Sequence, residues 1–435
     1  MSNTPLGNLF SALNNALDSK VASALGLRKL LVKATYTSAF NGINVATKAS
    51  KVFTAPKKQK TAHRLEATKK SNLFDLNLTE DQQMIQDTIK DFVAQKITPV
   101  AEHSSEERKV SAELNASFNE LGITYYSVPE AMGGMLNEKA TVTQMIITEN
   151  LAYGDVGIAL ALLTPIGALN ALVAYGSPEQ QETYIPPFLE EGSRMVASIA
   201  VNEADTLFDP FQLSTKAEKK GNSYVLNGEK NMIPLADQAE FFLVAADVEG
   251  KGSQVFIVEA KSKGLSIATD RGMGLNAAEM GKITLKNVEV PATALLVDNN
   301  NYNGFIDHIR LSWCALAVGA SKAALEYVID YANSREAFGE PISHRQAVAF
   351  MIANIKIEME AMQVLTQRAV SRAEQGLDFS KEAYLASVLC SEKAMEIGTN
   401  SVQLLGGYGF CRDYPAERWY RDLRAVAISY NGMHL

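Results

Sequence analysis

"MVASIAVNE" (195–203) is the stretch at which the periodicity of this chain changes. Before it, apolar residues recur every three or four positions, the spacing of one helix face. After it come short runs rich in Val, Ile, Phe and Tyr: "SYVLNGEKNMI" (223–233), "EFFLVAADV" (240–248), "SQVFIVEA" (253–260) and "KITLKNVEV" (282–290). Turn signals separate these runs at "KKGN" (219–222), "VEGKGS" (248–253) and "KSKG" (261–264). The pattern predicts an antiparallel β domain over 195–298.

Upstream, "LNLTEDQQMIQDTIKDFVAQKITPVA" (76–101) opens a helical region. Thr79 is a suitable N-cap with "EDQQ" in the first turn, and Ile85, Ile89, Phe92 and Val93 follow at helical spacing. "PEAMGG" (129–134) and "YGSPEQQ" (175–181) break this region, which is expected to occupy 73–194. Downstream, helical periodicity returns near Phe305 and continues to about residue 400, giving a second helical domain over 299–435. Runs of helices, then strands, then helices, without alternation, predict an α+β fold.

The 435 residues are 47% apolar and 21% charged, an ordinary composition for a soluble chain. No apolar run is expected to reach the roughly 20 residues of a membrane span. Cys314, Cys390 and Cys411 are odd in number and widely spaced, which predicts a reducing compartment. The five histidines form no metal-binding spacing, so no metal site is expected. Net charge is −8, but residues 1–72 hold twelve Lys/Arg against Asp18 and Glu66. That basic leader carries Leu9, Phe10, Leu13, Leu17, Val21 and Leu25 at helical steps. Three readings stay open: a membrane-surface helix with a basic tether, an organellar transit segment, or an extension packed on a neighbouring subunit. They predict a cytoplasmic protein, peripheral at the membrane, or alternatively one of the mitochondrial matrix. No nucleic-acid motif accompanies the lysines, so nucleic acid is not an expected partner.

"SREAFGEPISHRQ" (334–346) and "QLLGGYGFCRDYPAERWYRD" (403–422) resemble the two signature stretches of the acyl-CoA dehydrogenase family. "VLNGEK" (225–230), "VEVPATALL" (288–296) and "YGSPEQQETYIPPFLEEGSRMVAS" (175–198) resemble its middle domain and the approach to it. The similarity runs in order from about residue 75 to 430. It implies an N-terminal helical domain, a central β-barrel or sandwich and a C-terminal four-helix-type bundle. It also implies FAD, an acyl-CoA thioester substrate, a role in fatty acid metabolism, and a homodimer or homotetramer in which a neighbour contributes to the FAD site. Electron-transfer flavoprotein or another acceptor would take the electrons. Chemically, a carboxylate must remove a weakly acidic proton beside the thioester while hydride passes to the flavin.

By the resemblance, Arg335 lies near the FAD diphosphate, where a planar, always-charged fork is suited. Phe338 and Gln346 correspond to positions facing the adenosine half. Gln403, Gly406, Gly407 and Gly409 form a turn that lets backbone approach the cofactor. Arg310 matches an arginine at the acyl-CoA end, and Asp307 lies on the same helix face; an exposed ion pair is the plain alternative. Glu203 matches an acid that shapes a loop.

The resemblance breaks at the reacting centre. The family's basic glutamate falls on Tyr430 or, with a one-residue insertion, on Asn431, within "SYNGMHL" (429–435). The other family position for it is Ile309. Neutral tyrosine, with a reference pKa of about 10, is a poor base and an amide is none. The Trp and Thr of the flavin face correspond to Met232 and Pro234. Val201 keeps its place and Asn202 replaces a Thr. In "DTLFD" (205–209), Phe208 replaces a serine at the substrate side and Asp209 survives. The family segment that finishes the bundle has no counterpart. Three functions follow: a flavoenzyme with a displaced base (Asp307, Glu203, Asp209 or Tyr430), a non-catalytic or heteromeric subunit, or a membrane-associated acyl-CoA-binding scaffold.

Overall fold

The fold was obtained as a computed structural model, which describes residues 77–136, 140–190, 192–193, 195–205 and 207–435. The chain divides into units 1–73 and 74–435. The amphipathic helix expected over 9–25 and the basic tract after it lie outside the described residues.

The first helical layer contains α1 (Glu80–Phe92), α2 (Ala101–Glu107), α3 (Ala112–Asn119), α4 (Thr141–Gly154), α5 (Val156–Tyr175), α6 (Pro178–Tyr184) and α7 (Pro186–Leu189). Thr79 Oγ1 accepts from the Gln82 amide while Gln82 Oε1 accepts from the Thr79 amide, a reciprocal cap that fixes where α1 starts. Asp155 caps α5 by accepting from Ile158 N at 2.9 Å. Helix α5 corrects the reading that no apolar run is span-length: its 20 residues pass by length and hydropathy. Of its most apolar 18-residue stretch, 83% is buried inside the protein. A helix surrounded by protein on all sides needs the same composition as one surrounded by lipid.

The sheet comprises β1 (Ala197–Ala200), β2 (Lys216–Lys220), β3 (Ser223–Ile233), β4 (Phe241–Val248), β5 (Gly252–Glu259), β6 (Leu265–Thr269), β7 (Gly281–Pro291) and β8 (Leu295–Val297). Its path is β6-β7-β3-β2-β4-β5-β8, with β1 paired to β4. The ladders are antiparallel except β1–β4 and a single β2–β4 pairing, which are parallel. Phe242, Val244 and Phe256 are fully buried in the sheet core. Each such side chain contributes about 1.5–3 kcal/mol of burial.

The second helical layer is α8 (Asn299–Ser334), α9 (Gln346–Glu374), α10 (Ser380–Leu405) and α11 (Ala416–Leu423). The 36-residue α8 is the axis: it packs against α4, α9 and α10, and also touches β5. It thereby joins both helical layers to the sheet.

Candidate active site

On α8, Asn303, Asp307 and Arg310 share one face because they are four and three residues apart. Asp307 Oδ1 accepts from Arg310 Nη1 at 2.9 Å, and Oδ2 accepts from Asn303 Nδ2 at 3.0 Å. The pair is not an exposed surface pair, because Asp307 is fully buried and Arg310 nearly so. Burial pushes the Asp307 carboxyl above the ordinary range, opposed by its hydrogen bonds and the Arg310 charge. The Arg310 guanidinium lies 5.6 Å from the ring centres of Phe211 and Tyr384 and 5.9 Å from Tyr430. Its Nε is buried with no hydrogen-bond partner. Phe208 meets Tyr430 edge-on at 6.0 Å.

The sheet supplies the opposite wall. β3 breaks register with β7 between Lys230 and Ile233, and Met232 takes a positive φ of 53° there. Such a bulge turns backbone groups out of the ladder. Met232 N donates to Asp270 Oδ2 at 2.8 Å, and Pro234 O accepts from Ser198 Oγ at 2.7 Å. Below them, Lys230 is completely buried and donates to Glu203 Oε1 at 2.7 Å and Val201 O at 2.9 Å. Burial pulls Lys230 down to about 8, with Glu203 holding it up. For Glu203, burial pushes upward, but the Lys230 charge and the hydrogen bonds outweigh it and leave the carboxyl below its ordinary value. Glu203 also accepts from the Ser214 and Thr215 amides, so it shapes the loop.

Residues 429–435 lie between these walls. Asn431 is buried and its amide is saturated. Its Oδ1 accepts from Val201 N and, at 2.9 Å, from Asn202 N. Its Nδ2 donates to Asn231 O at 2.6 Å and Met232 O at 3.2 Å. Asn202 answers with Oδ1 accepting from Tyr430 N and Nδ2 donating to Ile428 O, both at 2.6 Å. Trp313 Nε1 donates to Asn431 O at 2.8 Å, and Asn170 Nδ2 to His434 O at 2.8 Å. Ser312 Oγ lies 2.9 Å from Met433 O and 2.7 Å from Ile309 O. The His434 ring stacks on Phe305 at 5.6 Å and contacts Tyr175 and His308. Burial, then His308, drives His434 well below its ordinary value, so it is neutral.

Val201, Asn202, Met232, Pro234, Phe208, Arg310, Asp307, Tyr430 and Asn431 are therefore brought to one place. Asn431 is a structural knot there, with no free group for catalysis. Ile309 is a buried apolar residue. Asp209 accepts from Phe211 N and Gln212 Nε2 and so closes its own loop.

The other expected cofactor residues lie elsewhere. Arg335 follows α8, Phe338 tips a small hairpin, Gln346 opens α9, and Gln403, Gly406 and Gly407 end α10. All are exposed. Arg335 lies 5.4 Å over the Tyr408 ring and Arg345 lies 5.6 Å from Phe338. Phe338 is 97% exposed. Gly406 needs its freedom, at φ 59° and ψ −131°. Gly409 does not present open backbone to a ligand: a Cβ there would strike Val402 O at 2.3 Å. Arg310 lies in α8 and Arg335 directly follows it, 25 positions on, roughly 37 Å along the helix axis, so the two groups are well separated.

The exposed end, with its cation, aromatic ring and open glycine backbone, fits a dinucleotide's phosphate and adenine half. The buried end fits a ring system only if Asn431 releases the amides of Val201 and Asn202. Sequence reasoning missed the tail's anchors: Asn170, Gly167, Ser312 and Trp313. The available signal was polar residues and glycine in otherwise apolar helices.

Three family profiles cover the described body in order: the acyl-CoA dehydrogenase N-terminal domain over 79–192, middle domain over 198–288 and C-terminal domain over 301–432. A probable acyl-CoA dehydrogenase of Bacillus subtilis, YngJ, is 32% identical over 366 residues, covering 82% of this chain and 95% of its own. Glutaryl-CoA dehydrogenase of Desulfococcus multivorans is 29% identical, covering 80% and 92%. Among solved structures, butyryl-CoA dehydrogenase from Megasphaera elsdenii superposes with TM-score 0.74 at 27% identity, covering 82% of this chain and 96% of that one. With matched domains along the whole described body, this chain belongs to the acyl-CoA dehydrogenase family.

Proposed function

We propose that the protein is an FAD-dependent oxidoreductase that dehydrogenates an acyl-CoA thioester between its α and β carbons, using a displaced base. Family membership indicates FAD as the cofactor and oxidoreduction at a CH–CH bond as the chemistry. When bound, FAD supplies the hydride acceptor. The observation that carries the reading is the convergence of Arg310, Asp307, Phe208 and Tyr430 opposite Val201, Asn202 and the Met232 bulge.

Arg310 offers its unpartnered Nε to an acceptor oxygen of the substrate. Phe211, beside the Arg310 guanidinium, and Phe208 form an apolar wall for the acyl chain. Asp307 is the carboxylate linked to that wall through Arg310, and burial shifts it toward what a base near neutral pH requires. The test is anaerobic addition of an acyl-CoA panel to the purified protein, followed by the visible flavin absorption. Bleaching by one thioester supports the reading, and Asp307→Asn should abolish it while leaving the protein yellow. A yellow protein that no thioester bleaches would instead mark a non-catalytic subunit.

That second reading is favoured by the exposure of the Arg335–Gly407 end, some 37 Å from the buried site, which suits completing another copy's cofactor site. Phe350, Ile357 and Val364 form an exposed apolar stripe at seven-residue steps on α9, with Tyr384, Leu385 and Val388 on α10. We take this face as the contact of a homodimer or homotetramer. Electron-transfer flavoprotein is the proposed electron acceptor; one structural neighbour, at TM-score 0.74 and 29% identity, is a chain in a structure described as the electron transferring flavoprotein of Acidaminococcus fermentans. The basic residues of 1–72 support a cytoplasmic location at an anionic membrane surface, testable by liposome co-sedimentation at low and high salt.

A further inference from the structure

We propose that residues 429–435 are an intramolecular plug, which must leave the slot between Val201, Asn202 and the Met232 bulge before the ring end of a flavin can occupy it. This rests on the FAD reading above. The chemistry of the contact is competitive. A carboxamide presents an acceptor oxygen beside N–H donors, and the pyrimidine edge of a flavin presents the same alternation of carbonyl oxygen and N–H. The amides of Val201 and Asn202 both donate to Asn431 Oδ1, and neither N–H can donate fully to two acceptors.

The segment is held as a docked peptide. It belongs to no helix or sheet, and its carbonyls at Asn431, Met433 and His434 accept from Trp313, Ser312 and Asn170 side chains. All of these links are reversible hydrogen bonds. Room for the plug exists because residue 167 on α5 is glycine: a Cβ there would lie 2.4 Å from Met433 Cα and 2.8 Å from His434 N. An apparent dissociation constant rises in inverse proportion to the fraction of molecules in the competent state. A seated plug therefore weakens FAD binding, and FAD in turn expels the plug.

Two variants loosen the plug from different sides. Asn431→Ala removes the amide that caps the slot. Gly167→Ala expels the segment sterically, touches none of the slot residues, and favours the helix it sits in. FAD binding is read by flavin fluorescence, and the plug by hydrogen exchange of residues 429–435 with and without FAD. Both variants should bind FAD about tenfold more tightly than wild type, the effect of losing one or two net hydrogen bonds. In wild type, FAD should speed exchange across 429–435. If wild type binds FAD while those amides stay protected, and both variants bind with unchanged or weaker affinity, the plug is refuted and the FAD reading stands. If neither wild type nor variants bind FAD, the FAD reading falls and takes the plug with it.

Discussion

Asn202 and Asn431 bind each other's chain segments reciprocally: the Asn202 amide donates to Asn431 Oδ1 at 2.9 Å, while Asn202 Oδ1 accepts from Tyr430 N at 2.6 Å. Asn202 also donates from Nδ2 to Ile428 O. Asn202→Ala would leave the half-buried Tyr430 amide without its partner, while the carbonyl of the exposed Ile428 can turn to water. A buried orphan costs about 1–3 kcal/mol. The expected result is a loss of about 1–2 kcal/mol in urea unfolding. Asn202→Asp, which keeps the acceptor for Tyr430 but not the donor for Ile428, should fall between that variant and wild type. Equal stability of all three would show that the reciprocal pair holds nothing in place.

Below that pair, Lys230 and Glu203 fix the turn that carries the Val201 and Asn202 amides. Removing one partner of a buried ion pair strands the other's charge, at a cost of about 3–5 kcal/mol. Lys230→Met should show that loss in chemical denaturation. Lys230→Met/Glu203→Gln, which removes the stranded charge, should recover a substantial part of it. A double variant as unstable as the single one would locate the cost in packing and not in charge.

The order of helices, strands and helices was legible because burial imposes period 3.6 on one and period 2 on the other. The Thr79 cap was legible too, since both halves of its exchange lie within four residues. Helix α5 was misread because protein interior and lipid select the same side chains. At the site, counting from Asp422 located Tyr430 and Asn431. The role of Asn431 was not legible: its partners lie 199 to 230 positions away and depend on a bulge at Met232. The outward aim of Phe338 was equally hidden, because it follows from a positive φ of 56° in a hairpin that composition does not specify.

Asp422 sets a pH dependence of stability. It is buried, accepts from Leu275 N at 2.7 Å, and lies near Asp155, whose carboxylate pairs with Arg418 at 2.8 Å. Burial first, then the Asp155 charge, raises Asp422 to about 7. The folded state then keeps a proton that the unfolded chain has released above about pH 4. Stability from this group therefore falls as pH rises from about 4 to about 7, and is lowest above that window. Asp422→Asn retains the acceptor for Leu275 and removes the titration. Compared with the variant, wild type should lose stability between about pH 4 and pH 7. Parallel pH profiles for the two proteins would refute the assignment.

Assembly and cofactor capture can be separated with one variant at each. Ile357, 62% exposed in the apolar stripe of α9, should tolerate a charge within one chain but not between two copies. Ile357→Glu should lower the mass measured by analytical ultracentrifugation. If the exposed Arg335 end serves a second copy's cofactor, Ile357→Glu should also lower flavin occupancy. Arg335→Ala should lower occupancy with the mass unchanged, since the guanidinium lies over Tyr408 and not in the stripe. Full occupancy in a monomeric Ile357→Glu protein would mean that one chain holds its own cofactor. Unchanged occupancy in Arg335→Ala would remove that arginine from the cradle, because an arginine on a diphosphate makes charge-assisted contacts that alanine cannot replace.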